Sequence, residues 1–165
     1  MQRVTTFLWF DGEAEEAANH YVDIFRAMGH EDSEITTISR YGKAGSGAAG
    51  RPVGSVMTVV FTLAGQEHIA LNGGPEFRFN EAMSLVVNCD TQEEIDGFWE
   101  RLSAGGEEGP CGWLKDRYGL SWQVVPSEQE RWIADDDPER SDRVMAAVLE
   151  MKKLDLDELR RAYEG

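Results

Sequence analysis

Residues 82–106 read AMSLVVNCDTQEEIDGFWERLSAGG: a β-rich run, a helix-opening box and a glycine stop. The run 82–88 predicts a strand. Thr91-Gln92-Glu93-Glu94 is a capping box, in which the Thr hydroxyl and the Glu carboxylate each take up a backbone N–H left over at a helix start. A helix therefore begins at Thr91. Ile95, Phe98, Trp99 and Leu102 give it one apolar face, and Gly105-Gly106 ends it. The same order stands 77 residues earlier. Residues 4–10 (VTTFLWF) read as a strand and Asp11-Gly12 ends it. Ala14, Ala17, Ala18, Tyr21, Phe25 and Met28 then form a helical stripe over about 13–28, with Gly29 as the stop. The offset pairs Leu8 with Leu85, Asp11 with Asn88, Glu16 with Glu93, Tyr21 with Phe98 and Phe25 with Leu102. Such an internal repeat marks a supersecondary unit that buries its sheet face only with help from a neighbour.

Each repeat continues into further strands. In the first half these are residues 35–40, then 55–63 and 66–71 across the turn at Ala64-Gly65, with residues 42–54 read as a loop. In the second half short strands fall near 107–111, 113–115 and 120–125, and Asp116-Arg117-Tyr118-Gly119 makes the last turn. Beyond Pro126 the chain reads as helical. Residues 127–130 carry a second capping-box pattern, Asp137-Pro138 opens a helix with Pro at its first position, and residues 155–158 open a short last one. Residues 1–126 thus read as one domain of two modules, about 1–75 and 76–126, followed by a helical extension over 127–165. The architecture is α+β, built from paired βαβββ modules.

The composition narrows the partners. A formal charge of −15 over 165 residues repels phosphates, which argues against nucleic acid and against an anionic membrane surface. Two cysteines, Cys89 and Cys111, without a CxxC motif, fit a reducing cytoplasm. The opening Met1-Gln2-Arg3-Val4 lacks a secretion-signal pattern, and no apolar run reaches the roughly 20 residues of a membrane helix.

Four stretches carry a family resemblance. Residues 7–25 (FLWFDGEAEEAANHYVDIF), 70–87 (ALNGGPEFRFNEAMSLVV), 98–126 (FWERLSAGGEEGPCGWLKDRYGLSWQVVP) and the tail 141–165 resemble PhnB-like proteins of the vicinal oxygen chelate superfamily, the glyoxalase, bleomycin-resistance and dioxygenase group. Cys111-Gly112-Trp113, Asp116, Gly119 and Trp122-Gln123 fall in the expected order. The branch also bears the label 3-demethylubiquinone-9 3-methyltransferase, although no Gly-rich strand–helix motif for S-adenosylmethionine is visible. The resemblance implies a homodimer with a small-molecule cavity inside each curved sheet. In metal-dependent relatives, His and Glu or Gln side chains on strands hold a divalent ion. Carried over, those positions fall near Thr5 or Thr6, within residues 68–72, near Met83 or Ser84, and at Gln123. Thr, Met and Ser are poor ligands and Gln is a weak neutral one. No cofactor is firmly expected, and a divalent metal rests on the weak candidates His68 and Gln123.

The cavity candidates are Trp9, Asn72, Phe79, Ser84, Cys111, Trp113 and Gln123. Asn72, Ser84 and Gln123 offer hydrogen bonds to a carbonyl or hydroxyl, and the aromatic residues offer stacking area. Trp122 alternates with Gln123, so it is expected to pack under the helices. Gly45-Ser46-Gly47-Ala48-Ala49-Gly50 matches GxGxxG, but Arg51-Pro52 and a β-rich run follow where a dinucleotide motif needs a helix. It reads as a flexible loop able to cover the cavity. Asp137 in the run 135–137 reads as a helix cap rather than a calcium ligand. The function expected is a small-molecule binding protein or enzyme. A metal-dependent lyase, isomerase or dioxygenase is the first alternative and a non-catalytic scaffold the second.

Overall fold

A computed structural model describes residues 4–165; Met1, Gln2 and Arg3, part of the stretch read above for a secretion signal, lie outside the described residues. The chain forms two compact units, the first running to Phe79 and the second from Asn80 to Gly165.

The first unit contains β1 (Thr6–Phe10), α1 (Ala14–Ala27), β2 (Glu34–Arg40), α2 (Lys43–Ala49), β3 (Val56–Leu63) and β4 (Gln66–Asn72). Its sheet has the order β1-β4-β3-β2, with β1 parallel to β4 and the other pairs antiparallel. The period-2 alternation of the strands sorts their side chains. Leu8, Phe10, Val59, Phe61, Leu63 and Ala70 are buried on the face that carries α1, while Phe7 and Val60 point the other way. The helix lies close because Ala14, Ala17 and Ala18 are small and fully buried. No side chain of Glu13 caps α1; Asn72 at the end of β4 does so, its Oδ1 accepting from the Ala14 N–H at 2.9 Å. Gly73, the next residue, passes so near Trp9 that an added Cβ would stand 2.3 Å from the indole ring.

The second unit repeats this plan with β5 (Ser84–Cys89), α3 (Gln92–Ser103), β6 (Glu107–Glu108), β7 (Trp113–Lys115) and β8 (Ser121–Pro126), in the order β5-β8-β7-β6. The matching strand order confirms the duplicated module read from the sequence. The capping box at Thr91 is present in both directions. Ile95, Phe98, Trp99 and Leu102 are buried as expected. Trp122 packs on the helix side at 1% exposure, and its indole N–H donates to Asp116 Oδ2 at 2.8 Å. The extension adds α4 (Gln129–Ile133), α5 (Pro138–Glu150) and α6 (Leu156–Glu164) to this unit.

Two expectations are corrected. The glycine-rich stretch is not a loop but the short helix α2, closed by Gly50 in the left-handed region. Its Gly45 sits against the Tyr41 ring, where a Cβ would come within 3.2 Å, so packing rather than propensity holds the turn. The box at residues 127–130 does not form: the helix is capped one residue later, at Glu128, without a side-chain bond, while Ser127 gives its N–H to Cys89. By contrast, Asp137 and Asp155 cap α5 and α6 through the N–H groups of Glu139 and Glu158.

Candidate functional site

The chemistry-bearing side chains lie on the sheet face opposite the helix. In the second unit the register aligns Glu107, Lys115, Ser121 and Ser84 in one row across all four strands, from β6 through β7 and β8 to β5. The next row holds Trp113, Gln123 and Val86. A cavity of about 480 Å³ opens here, lined among others by Glu81, Pro110, Cys111, Trp113, Lys115 and Ser121. Gln123 Nε2 donates to Ser84 Oγ at 2.9 Å, tying the two rows together. Lys115 is ion-paired with Glu81. Their hydrogen bond raises the Lys115 pKa and, first among its causes, lowers that of Glu81. Ser121 differs from its neighbours: it is wholly buried, and its Oγ has no hydrogen-bond partner among the described residues. A buried hydroxyl without a partner carries a desolvation penalty that a bound polar group would remove.

The first unit has a smaller cavity of about 300 Å³, walled by Trp9, Tyr41, Leu71, Gly73 and, from α2, Ala48 and Ala49. Trp9 is held by a 2.8 Å bond from its indole N–H to the Gly74 carbonyl and by an edge contact from Phe77. Tyr41 donates its hydroxyl to the Asn72 carbonyl at 2.6 Å.

Of the residues proposed from sequence, Cys111 and Trp113 line the larger cavity and Trp9 the smaller. Ser84 and Gln123 share the face of the larger cavity and satisfy each other. Asn72 lines neither of these two cavities; its amide is engaged by the Ala14 N–H and the Val56 carbonyl, which makes it a structural cap. Phe79 packs edge-on against Phe10 with centroids 5.2 Å apart. Sequence reasoning missed Lys115 and Ser121. The same alternation that turned Trp122 inward places 121 and 123 on one face, so Ser121 was readable from Gln123.

A divalent metal needs imidazole and carboxylate ligands that converge from one face. His68 lies on the helix side, 5% exposed and stacked on Phe61 with centroids 5.4 Å apart, and burial lowers its pKa. It shares the helix-side face with Thr6, its direct register partner, and is turned away from the opposite face. On the first sheet that face offers Glu67, whose carboxylate accepts from Thr5 at 3.4 Å, beside Phe7, Ile69 and Leu71. On the second it offers Ser84 and Gln123. Neither sheet assembles the imidazole and carboxylate ligands such an ion requires. Among the described residues no group of three or more His, Cys, Asp or Glu is placed to hold a metal.

Two four-stranded sheets of identical strand order, each backed by a helix, define the paired-module fold of the vicinal oxygen chelate superfamily. The model of the 3-demethylubiquinone-9 3-methyltransferase family matches residues 2–125, and the chain belongs to this PhnB-like family. A PhnB protein from Bacillus cereus is 40% identical, over 75% of this chain and 99% of its own, with a TM-score of 0.62. Protein PA1353 from Pseudomonas aeruginosa shares the fold at 17% identity and a TM-score of 0.58, covering 76% of this chain and 98% of its own. The fosfomycin resistance protein FosX from Listeria monocytogenes does so at 16% and 0.50, covering 79% and 98%. No curated protein matches the chain. Among the described residues no helix is long and apolar enough to cross a membrane.

Proposed function

We infer that the chain binds a small molecule in the cavity of its second module and acts on it, if at all, without a resident metal. The observation that carries this reading is the Ser121 hydroxyl, fully buried and unpartnered in the polar row that lines the cavity. A ligand carbonyl or hydroxyl would complete it, with Lys115 beside it as a charged donor and Trp113 as a flat apolar wall. FosX shows that the fold serves small-molecule resistance in a distant relative, which supports a ligand-handling role. The donor set supports the metal-free form. Residues 1–126 form the ligand-handling domain and 127–165 an extension. Phe7 and Val86, 53% and 50% exposed on the sheet faces, support a homodimer that covers them. Two free cysteines support a cytoplasmic setting.

The experiment is a metabolite panel read by thermal shift on the wild type and on Ser121→Ala. Removing a hydroxyl that has no partner should stabilise the free protein by about 1 kcal/mol and weaken the response to any hit. Stoichiometric metal after chelator-free purification would overturn the metal-free reading. A panel in which Ser121→Ala responds like the wild type would overturn the placement of the ligand.

A further inference from the structure

The wall of the larger cavity is not held by its own module alone. Residues 110–113, which contribute Pro110, Cys111 and Trp113 to the cavity, form a tight turn in which Cys111 adopts φ +59° and Gly112 φ +81°. A non-glycine residue in the left-handed region is uncommon and strained, and persists only where surroundings impose it. The surroundings here are residues 151–155, the link between α5 and α6. The Cys111 and Gly112 N–H groups donate to the Met151 and Lys152 carbonyls, each at 2.7 Å. Leu154, fully buried, presses on Gly112 so closely that a Cβ there would stand 3.1 Å from its Cδ1 and 2.9 Å from the Val124 carbonyl.

The link is itself anchored. The Gln92 side chain on α3 donates to the Leu154 carbonyl at 3.2 Å and accepts from the Leu156 N–H at 2.8 Å, while Lys153 pairs with Asp96 at 2.5 Å. Gln92 and Asp96 lie within the stretch the family model matches, residues 2–125, whereas the link they hold lies outside it.

We propose that residues 151–155 are a strap that sets the position of Cys111 and Trp113 in the ligand cavity, with Gln92 and Leu154 as its positioning residues. This rests on the cavity of the second module being the ligand site, and makes the extension part of that site rather than a cover for the body. The strap restrains the turn through two backbone bonds whose donors immediately precede the cavity's aromatic wall. Releasing it frees Cys111 to leave its strained conformation, and the thiol and the indole move together.

Cys111 reports on this without any ligand. The other thiol, Cys89, is buried and its pKa is pushed up to about 12, so it is silent towards alkylation. Full-length protein is treated with iodoacetamide and the Cys111 peptide followed by mass spectrometry, with amide exchange at Cys111 and Gly112 measured alongside. Leu154→Ala and Gln92→Leu should raise the Cys111 labelling rate about tenfold, the loss expected from one to two hydrogen bonds. Leu154→Met should restore the wild-type rate. Ile95→Val, which loosens the α3 core and alters no hydrogen bond or ion pair to the strap, should leave it unchanged despite a lower Tm. If Leu154→Ala fails to fold, Gln92→Leu decides alone. Labelling in the strap variants within about twofold of Ile95→Val overturns the proposal, whether or not the two amides exchange faster. A metabolite panel without hits would count against the site and leave this result standing.

Discussion

Replacing Asp116 should be among the most damaging single changes in the second module. The side chain is 3% exposed at the turn between β7 and β8. Its Oδ1 accepts from the Tyr118 N–H at 2.8 Å and the Leu120 N–H at 3.1 Å, and its Oδ2 from the Trp122 indole at 2.8 Å. Trp122 and Leu120 are both about as buried as Asp116, so Asp116→Ala strands two donors that water cannot reach. Each stranded donor costs about 1–3 kcal/mol, which puts the total for the two at about 2–6 kcal/mol. A domain is stable by about 5–15 kcal/mol, so at mid-range values about 40% of the margin disappears. Asp116→Asn keeps the oxygen that serves the turn but sets an amide N–H against the indole N–H, and should lose about half as much. The assay is urea unfolding followed by tryptophan fluorescence and circular dichroism, with a double-mutant cycle through Trp122→Phe to remove the packing loss of the ring. The Asp116→Asn and Trp122→Phe changes should couple by about 1–2 kcal/mol. A cost below about 1 kcal/mol for Asp116→Ala, or no coupling in the cycle, refutes the reasoning.

Other changes test separate links. Thr91→Ala removes the hydroxyl arm of the capping box, leaving the backbone N–H that Glu94 accepts, and should cost about 1 kcal/mol in urea unfolding, with Thr91→Ser close to the wild type. Gly73→Ala drives a methyl into the Trp9 indole and should cost about 1–3 kcal/mol while changing near-ultraviolet circular dichroism of the tryptophans. His68 is held neutral by burial, its folded pKa below the ordinary 6.5. As pH falls, the unfolded chain takes up that proton first, so its contribution is complete above pH 6.5 and is lost as pH drops from there towards the folded value. Unfolding curves at pH 7.5 and 5 should therefore diverge less for His68→Phe than for the wild type; equal divergence would show that His68 titrates as it does unfolded.

How far the residues announced this arrangement differs by element. Period and capping carried the duplicated module: Thr91 with Glu94, and the stripe ending at Leu102, are local signals that survive folding. The short helix α2 was hidden because Gly45 and Gly47 are poor helix formers, and what holds it, the Tyr41 ring and the Ser46 bond to the Arg51 carbonyl, shows only in the folded chain. Asn72 looked like a cavity contact because its partner, the Ala14 N–H, lies 58 residues away and leaves no trace in spacing. His68 could not be assigned to a face until the pairing of Thr6 with His68 set the register, and a slip of one residue reverses every side chain. The cavity itself was half legible. Cys111 and Trp113 stood out by type, whereas Lys115 resembles any surface lysine and the bonds that Cys111 and Gly112 donate to Met151 and Lys152 are backbone to backbone.

The parallel pairing of first strand with last has a consequence for synthesis on the ribosome. Thr6 waits for His68, so the apolar segment of β1 has no ladder until the whole first half has left the exit tunnel. Ser84 waits only for Ser121. Even then the second half is unfinished, because the amides of Cys111 and Gly112 acquire their acceptors only when residues 151 and 152 emerge. Residues 151–155 emerge after the strands they hold, so a chain that stalls or is cut before residue 151 would carry the Cys111–Trp113 cavity wall without the backbone acceptors that fix it.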